Sequence, residues 1–242
     1  MITVKPEGRL ANNLFQYTFG RLIHESTGLA LNYTVNTKIF KTPALEGRTG
    51  EEEQVVITDY FDTMKESVVD LNFVNKEYRN KNILLHGFFQ NKSYFNHRRS
   101  DVKKWLGEIT VSNSEWTGIH IRKTDYKPLG WDLPDFYYEK CLELANPEHV
   151  MIFTDEPENQ YVKILLNRGA KIVQASPEES MYLLGTCGKI IISRSTFSWW
   201  SAFLSSPEKV YYPRPARGWW SVKDTPTKVI EVDSSEYHYV DF

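Results

Sequence analysis

The stretch Trp116-Thr117-Gly118-Ile119-His120-Ile121-Arg122-Lys123-Thr124-Asp125-Tyr126 decides how the chain is read. Over 116–122 apolar and polar residues alternate and β-branched side chains recur, the pattern of a strand. Thr124 and the Pro128/Gly130 pair end it. Side chains two apart share a face, so His120 and Arg122 are expected to emerge together at the strand's end. In an open α/β sheet the carboxyl ends of the strands are where ligands bind. An arginine there offers a fork of donors matched to a diphosphate, and a histidine beside it adds a neutral donor or acceptor. A strand that merely ends in solvated charges has the same letters, so the flanking chain has to separate the two.

Downstream, the periodicity predicts a helix over 134–145, a strand over 149–154 and a helix over 156–167. A strand over 170–174, a helix over 177–185, a strand over 189–193 and a helix over 196–204 follow, with strands over 210–212 and 228–230 closing the series. Alternation of this kind argues a parallel sheet with right-handed crossovers. Upstream, a strand over 2–5 leads through a turn over 6–13 into a helix over 14–26. In that helix Leu14, Phe15, Phe19, Leu22 and Ile23 recur at helical spacing, and Gly28 is the stop. The segment 29–50 is polar and irregular, 54–58 and 82–87 read as strands, and 96–106 reads as a helix. The boundary falls within 107–114, which makes an amino-terminal α/β half over 1–110 and a Rossmann-like half over 111–242.

A chain of 242 residues is long enough for a sizeable core in one large domain or two small ones. With 29 Lys+Arg against 31 Asp+Glu there is no general affinity for polyanions, which argues against a nucleic-acid partner. Cys141 and Cys187 lack metal-ligand spacing and read as reduced thiols. No window approaches the ~20 apolar residues of a membrane span, and the start of the chain lacks an apolar signal core. The expectation is a soluble, cytoplasmic protein. Neither G-x-G-x-x-G nor G-x-x-x-x-G-K-[ST] occurs, and H-E-x-x-H, C-x-x-C and D-x-D are absent, so no metal and no bound cofactor is expected.

Two further strand ends carry polar residues suited to a nucleotide. Phe153-Thr154-Asp155 stops an apolar strand at a carboxylate, which either accepts from the N–H edge of a guanine or caps the following helix. Ser193-Arg194-Ser195-Thr196-Phe197-Ser198 places hydroxyls at a helix start, which is an anion site or a simple cap. Trp199 and Trp200 read as packing. Near the amino terminus, Gly8 and Ala11 allow close approach of the backbone, while Asn12 and Asn13 either cap the helix or donate to a hydroxyl.

These segments resemble those of the α-1,2-fucosyltransferases, and more distantly the protein O-fucosyltransferases and α-1,6-fucosyltransferases. Gly8-Arg9-Leu10-Ala11-Asn12-Asn13-Leu14-Phe15-Gln16-Tyr17 is similar to the family's G-x-x-G-N-Q-x-F-Q-Y. His86-Gly87-Phe88-Phe89-Gln90 resembles G-Y-F-Q, and His120 to Tyr126 resembles H-x-R-R-x-D-Y. Phe153-Thr154-Asp155-Glu156 is similar to F-S-D-D, and Ser193 to Ala202 to N-S-T-F-S-W-W-G-A. The resemblance implies a GT-B-type fold, two Rossmann-like halves facing a cleft, and an inverting, metal-independent transfer of L-fucose from GDP-β-L-fucose to a glycan hydroxyl, α-1,2 to galactose. It implies that Arg122 contacts the diphosphate and that Ser195, Thr196 and the backbone at Phe197 receive its β-phosphate. Lys123 would add charge, and His120 and Asp155 would address guanosine. Asp125 is the candidate base, with a structural acid orienting Arg122 as the alternative. Gly8, Arg9, Asn12 and Asn13 would lie on the fucose and acceptor side. Lys123 stands where the family has a second arginine, Ala11 replaces a glycine and Asn13 a glutamine. Rival readings are a transferase for another GDP-hexose and an inactive GDP- or carbohydrate-binding relative.

Overall fold

Strand β1 (Ile2–Lys5) feeds helix α1 (Leu10–Thr27), which returns to β2 (Leu31–Asn32). The chain continues through β3 (Glu52–Asp59), α2 (Leu71–Tyr78), β4 (Lys81–Gly87), the short α3 (Lys92–Phe95) and α4 (Arg99–Leu106). Then come β5 (Asn113–Ile121), α5 (Asp135–Ala145), β6 (His149–Thr154), α6 (Gln160–Asn167), β7 (Lys171–Ile172) and α7 (Pro177–Gly185). The described series ends with β8 (Cys187–Ile191), α8 (Thr196–Leu204), β9 (Lys209–Arg214) and β10 (Tyr237–Asp241). The computed structural model describes residues 1–59, 69–214, 232 and 234–242, so the strand expected over 228–230 lies outside them. The chain divides into two units, Met1–Leu106 and Gly107–Phe242.

In the first unit the described strands form one parallel sheet in the order β2-β1-β4-β3. Helix α1 starts four residues before the expected position. Gly8 adopts φ 75°, Arg9 becomes the N-cap, and Asn12 and Asn13 fall inside the first turn instead of capping it. Gly28 ends the helix in the left-handed conformation, with its N–H on the His24 carbonyl. The α1 face carrying Leu14, Phe15, Phe19, Leu22 and Ile23 is fully or almost fully buried. Phe19 stacks on Phe89 with ring centroids 4.4 Å apart. Each such side chain contributes roughly 1.5–3 kcal/mol on leaving water. The helix expected over 96–106 opens with a 3-10 turn over Asn96–Arg98, which follows α3 directly, and is α-helical from Arg99.

In the second unit the described strands are again all parallel, in the order β10-β9-β8-β5-β6-β7. The chain builds outward from β5 to one edge, returns to β8 beside it, and builds outward to the other. This is a doubly wound arrangement, and its switch point lies between β5 and β8. Its fold class is α/β, as expected from the alternation. Ile119, Ile121, Tyr137, Tyr138, Cys141, Ile152 and Val162 pack together with α5 and α6 against the sheet. Helix α8 is apolar nearly all round because it is buried nearly all round. Trp199 and Trp200 are wholly inaccessible, and Trp199 stacks on Phe203 at 4.4 Å, so the pair is packing. Ser198 and Ser201 donate back to carbonyls of the preceding turn, which satisfies hydroxyls no water reaches. Helix α6 begins later than expected, because Asn159 caps it through the Tyr161 N–H while Glu156 is tied into the preceding turn. Cys141 and Cys187 are both free and buried, and burial pushes each thiol up to about 12.

Candidate functional site

The carboxyl edge of the second unit's sheet gathers three chain segments at the β5/β8 switch point. The first leaves β5. Arg122, the residue after the strand, has a side chain only 15% exposed. Its Nη2 lies 2.7 Å from the Asp125 carboxylate, and its Nη1 lies 3.1 Å from Asp155. The Tyr126 ring lies 5.4 Å from the guanidinium. An arginine flanked by two carboxylates and an aromatic ring has one preferred direction, which lowers the entropy lost when it meets an anion.

The second segment leaves β6. Asp155 accepts from the Lys123 N–H (3.0 Å) and the Thr124 N–H (3.3 Å), and also from the Thr124 hydroxyl. Arg122 Nη1 faces the same Oδ2 that takes the Thr124 N–H and hydroxyl, while Oδ1 takes the Lys123 N–H. The β5 loop thus clamps the carboxylate mainly through Oδ2.

The third segment leaves β8 for α8. Ser195 holds the N-cap in extended conformation, and its side chain makes no cap bond. An α-helix leaves its first N–H groups without intrahelical partners, so Thr196 and Phe197 stand at the positive end of the α8 dipole. Ser195 and Thr196 are nevertheless 6% and 8% exposed, so the tip is sheltered from bulk water.

His120 joins the first segment to the third. It lies within β5, 5% exposed, with Nδ1 2.7 Å from the Ser193 Oγ and its ring stacked on Phe197 at 4.9 Å. Burial, and then the charge of Arg122, push its pKa down to about 3, with Asp155 opposing. The imidazole is neutral at any physiological pH. The sign of the linkage follows. The unfolded histidine protonates near pH 6.5 and the folded one does not, so stability is full above pH 6.5 and falls as the pH drops toward 3. Replacing His120 with Gln should flatten the acid side of the stability profile, by at most ~1.4 kcal/mol per pH unit. Urea unfolding at pH 7 and at about pH 4.5 checks this; equal acid sensitivity in the two proteins would contradict the buried neutral ring.

Lys123 differs from expectation. Consecutive residues of an extended chain point to opposite sides. Its ammonium is turned away from Arg122 to the Leu133 carbonyl (2.6 Å), Asp135 (3.0 Å) and Asp132 (3.6 Å). The amine fastens the loop ahead of α5 and adds no charge to the edge. Asp125, half exposed, is engaged with Arg122.

The first unit brings its own group together. Asn13 Nδ2 donates to the Glu7 carbonyl (2.9 Å) and to Gln16 Oε1 (3.1 Å). Asn12 Oδ1 accepts from Gln90 Nε2 (3.0 Å). A Cβ on Gly8 would collide with the Asn12 amide, which is why that turn takes a glycine. Arg9 stands at the α1 N-cap. Ser193 belongs to the segment read as an anion site or cap, but its pairing with His120, and those of Gln16 with Gly87 and Gln90 with Asn12, join residues far apart in the chain. Only the F-Q and F-Q-Y motif letters pointed toward Gln16 and Gln90.

Among the described residues no group of three His, Cys, Asp or Glu side chains is placed to hold a metal ion, and no helix is long and apolar enough to cross a membrane.

Comparison with known proteins bears on the same segments. The O-antigen biosynthesis glycosyltransferase WbnK of Escherichia coli is 28% identical over 131 residues, which is 47% of this chain and 42% of WbnK. The match thus spans less than half of that relative. Among solved structures, POFUT1 in complex with GDP-fucose superposes with a TM-score of 0.53 at 9% identity, covering 86% of this chain and 96% of that one. NodZ α-1,6-fucosyltransferase soaked with GDP-fucose gives 0.50 at 12%, covering 86% and 93%. A mutant of Arabidopsis thaliana FUT1 in complex with GDP gives 0.54 at 11%, covering 87% and 70%. At such identities the likeness is one of fold. The family model for glycosyl transferase family 11 matches residues 51–216, a span that includes Arg122, Asp155 and the α8 tip. Matched over more than half its length, the chain belongs to glycosyl transferase family 11.

Proposed function

We propose that the protein is an inverting fucosyltransferase that moves L-fucose from GDP-β-L-fucose to a glycan hydroxyl, α-1,2 to galactose, without a metal ion. The observation that carries this reading is Arg122, aimed by Asp125 and Asp155 at the same switch point from which α8 starts. The fold that POFUT1 and NodZ share with the chain, both solved with GDP-fucose, supports the donor.

In this reading negative charge grows on the departing diphosphate while positive charge grows on the sugar ring. Fixed donors directed at the leaving group are the largest catalytic contribution available. Arg122 supplies the guanidinium, and Ser195, Thr196 and the Phe197 N–H supply the helix tip. His120, neutral and stacked on Phe197, sets the position of that tip. Asp125 and Asp155 act through Arg122 as positioning residues.

The test is release of GDP from GDP-fucose, GDP-mannose and GDP-rhamnose with chelator present, across an acceptor array, followed by linkage analysis of the product. Turnover of GDP-fucose alone with an α-1,2-linked product is the expected result. A preference for another GDP-hexose would replace the donor assignment. Binding of GDP without transfer to any acceptor would replace catalysis with a binding role.

A further inference from the structure

We propose that Lys123 is a positioning residue: its buried ammonium closes the loop after β5 and thereby sets the direction of Arg122. The inference lies wholly within the second unit. It rests on the transferase reading and adds to that reading a residue that touches no substrate.

The first observation is where the chain puts a charge. Lys123 is 4% exposed, and lysine is almost never buried this far without a partner. Taking an ammonium out of water is costly unless hydrogen bonds replace its hydration. Here Nζ faces the Leu133 carbonyl at 2.6 Å, Asp135 Oδ1 at 3.0 Å and Asp132 Oδ2 at 3.6 Å, with the Tyr138 ring 5.8 Å away. A methionine would lie against Tyr138 without the desolvation cost. A buried ion pair adds little net stability over such a residue, and its best-attested use is to select one arrangement of the chain over others.

The second observation is that every polar group of Lys123 is committed to one loop. Its N–H donates to Asp155 Oδ1 at 3.0 Å, which ties it to the end of β6. Its carbonyl accepts from the Lys127 N–H at 2.9 Å, at the entry to the 3-10 turn Lys127–Leu129. Its ammonium reaches Asp132 and Leu133 ahead of α5 and Asp135 at the start of it. Surface loops of this kind are the most mobile parts of a fold. A single residue fastens this one at its start, at its turn and at its far end.

The third observation is what that loop carries. Asp125, 2.7 Å from Arg122 Nη2, and Tyr126, whose ring lies 5.4 Å from the guanidinium, are both inside it. Asp155, 3.1 Å from Arg122 Nη1, is the carboxylate that takes the Lys123 N–H. Two of these guides thus ride on the segment that Lys123 closes, and the third is bonded to Lys123 itself. Freeing the ammonium leaves Arg122 attached to the strand but loosens what aims it. A displacement of about 1 Å in such a group can cost ~100-fold in rate. The ammonium points away from the edge that Arg122 faces, so its loss acts on the diphosphate through geometry and not through charge.

The test uses the full chain, GDP-fucose, and the glycan that the array identifies as the fastest acceptor. Lys123→Met should lower kcat/KM for GDP-fucose by about 10- to 100-fold. In the Arg122→Ala background the same substitution should cost less than about twofold, because its effect passes through a guanidinium no longer present. A lysine needed only for folding would lower the active fraction by one factor in both backgrounds. Asp135→Ala is the milder variant, since its side chain is 54% exposed and its loss opens no cavity. Removing that acid should lower kcat/KM about two- to fivefold, again only where Arg122 is present. Wild-type kcat/KM in Lys123→Met, or an equal loss in the two backgrounds, would overturn the proposal and leave the transferase reading intact. Should Lys123→Met not fold, wild-type kcat/KM in Asp135→Ala would overturn it alike. A wild-type protein that transfers fucose to no glycan would overturn the transferase reading and this inference with it.

Discussion

Arg122→Ala should lower turnover at least ~100-fold, the cost of about 3 kcal/mol that follows loss of one fixed donor to a leaving oxyanion, with the fold unchanged. The side chain is attached to the sheet edge and not to the core, so its removal leaves Ile119 and Ile121 packed as before. It does release Asp125 and Asp155 from their common partner. Two carboxylates that have lost a shared cation add repulsion near a diphosphate to the loss of attraction, which places the effect at the high end of the range. Arg122→Lys should recover little. A point charge on a flexible stem cannot face Asp125, Asp155 and a phosphate at once. Steady-state kinetics with GDP-fucose, alongside circular dichroism, measure both; near-normal rates in Arg122→Ala would remove its role.

The second large effect concerns the sheet that creates the edge. A methyl group at Gly188 would drive into the Ser114 carbonyl on the neighbouring β5, a contact with backbone that no rotamer relieves. Gly188→Ala should therefore cost on the order of 3 kcal/mol by forcing apart β5 and β8. That pair brings Ser193 to His120 and the α8 tip to Arg122, so GDP binding should fall along with stability. Gly169 is the control. It takes φ 94° but faces open space, so Gly169→Ala should cost only about 1 kcal/mol. Urea titrations of the two variants separate these; a Gly188→Ala protein as stable as wild type would contradict the β5/β8 pairing.

How much of this was legible in the chain varies with the range of the forces involved. Strand β6 begins and ends where the alternation does, and α7 runs over the residues expected of it. Its signals are local: Pro177 at the first helical position and the reciprocal Ser176–Glu179 capping box. The start of α1 is not legible in the letters, because asparagine is a common cap whereas the cap here is Arg9 after a left-handed Gly8. Strand β7 is shorter than the apolar run 170–174: Lys171 and Ile172 are in register with β6, and the pairing ends where the Val173 N–H reaches the Ile152 carbonyl. At the site, Arg122 and the α8 tip were readable because strand ends and helix starts are local events. The burden carried by Asp155, the withdrawal of Lys123 and the pairing of His120 with Ser193 were not. Each depends on a partner supplied by another part of the parallel sheet, and spacing along the chain carries no record of that partner.

In the proposed function a guanidinium held by two acids and the tip of α8 grip the diphosphate of a GDP-sugar without a metal ion. Isothermal titration of the folded protein with GDP in the presence of chelator tests it most directly. One GDP should bind per chain, with the heat lost in Arg122→Ala. Absence of binding in the wild type, or equal binding in the two proteins, would contradict it.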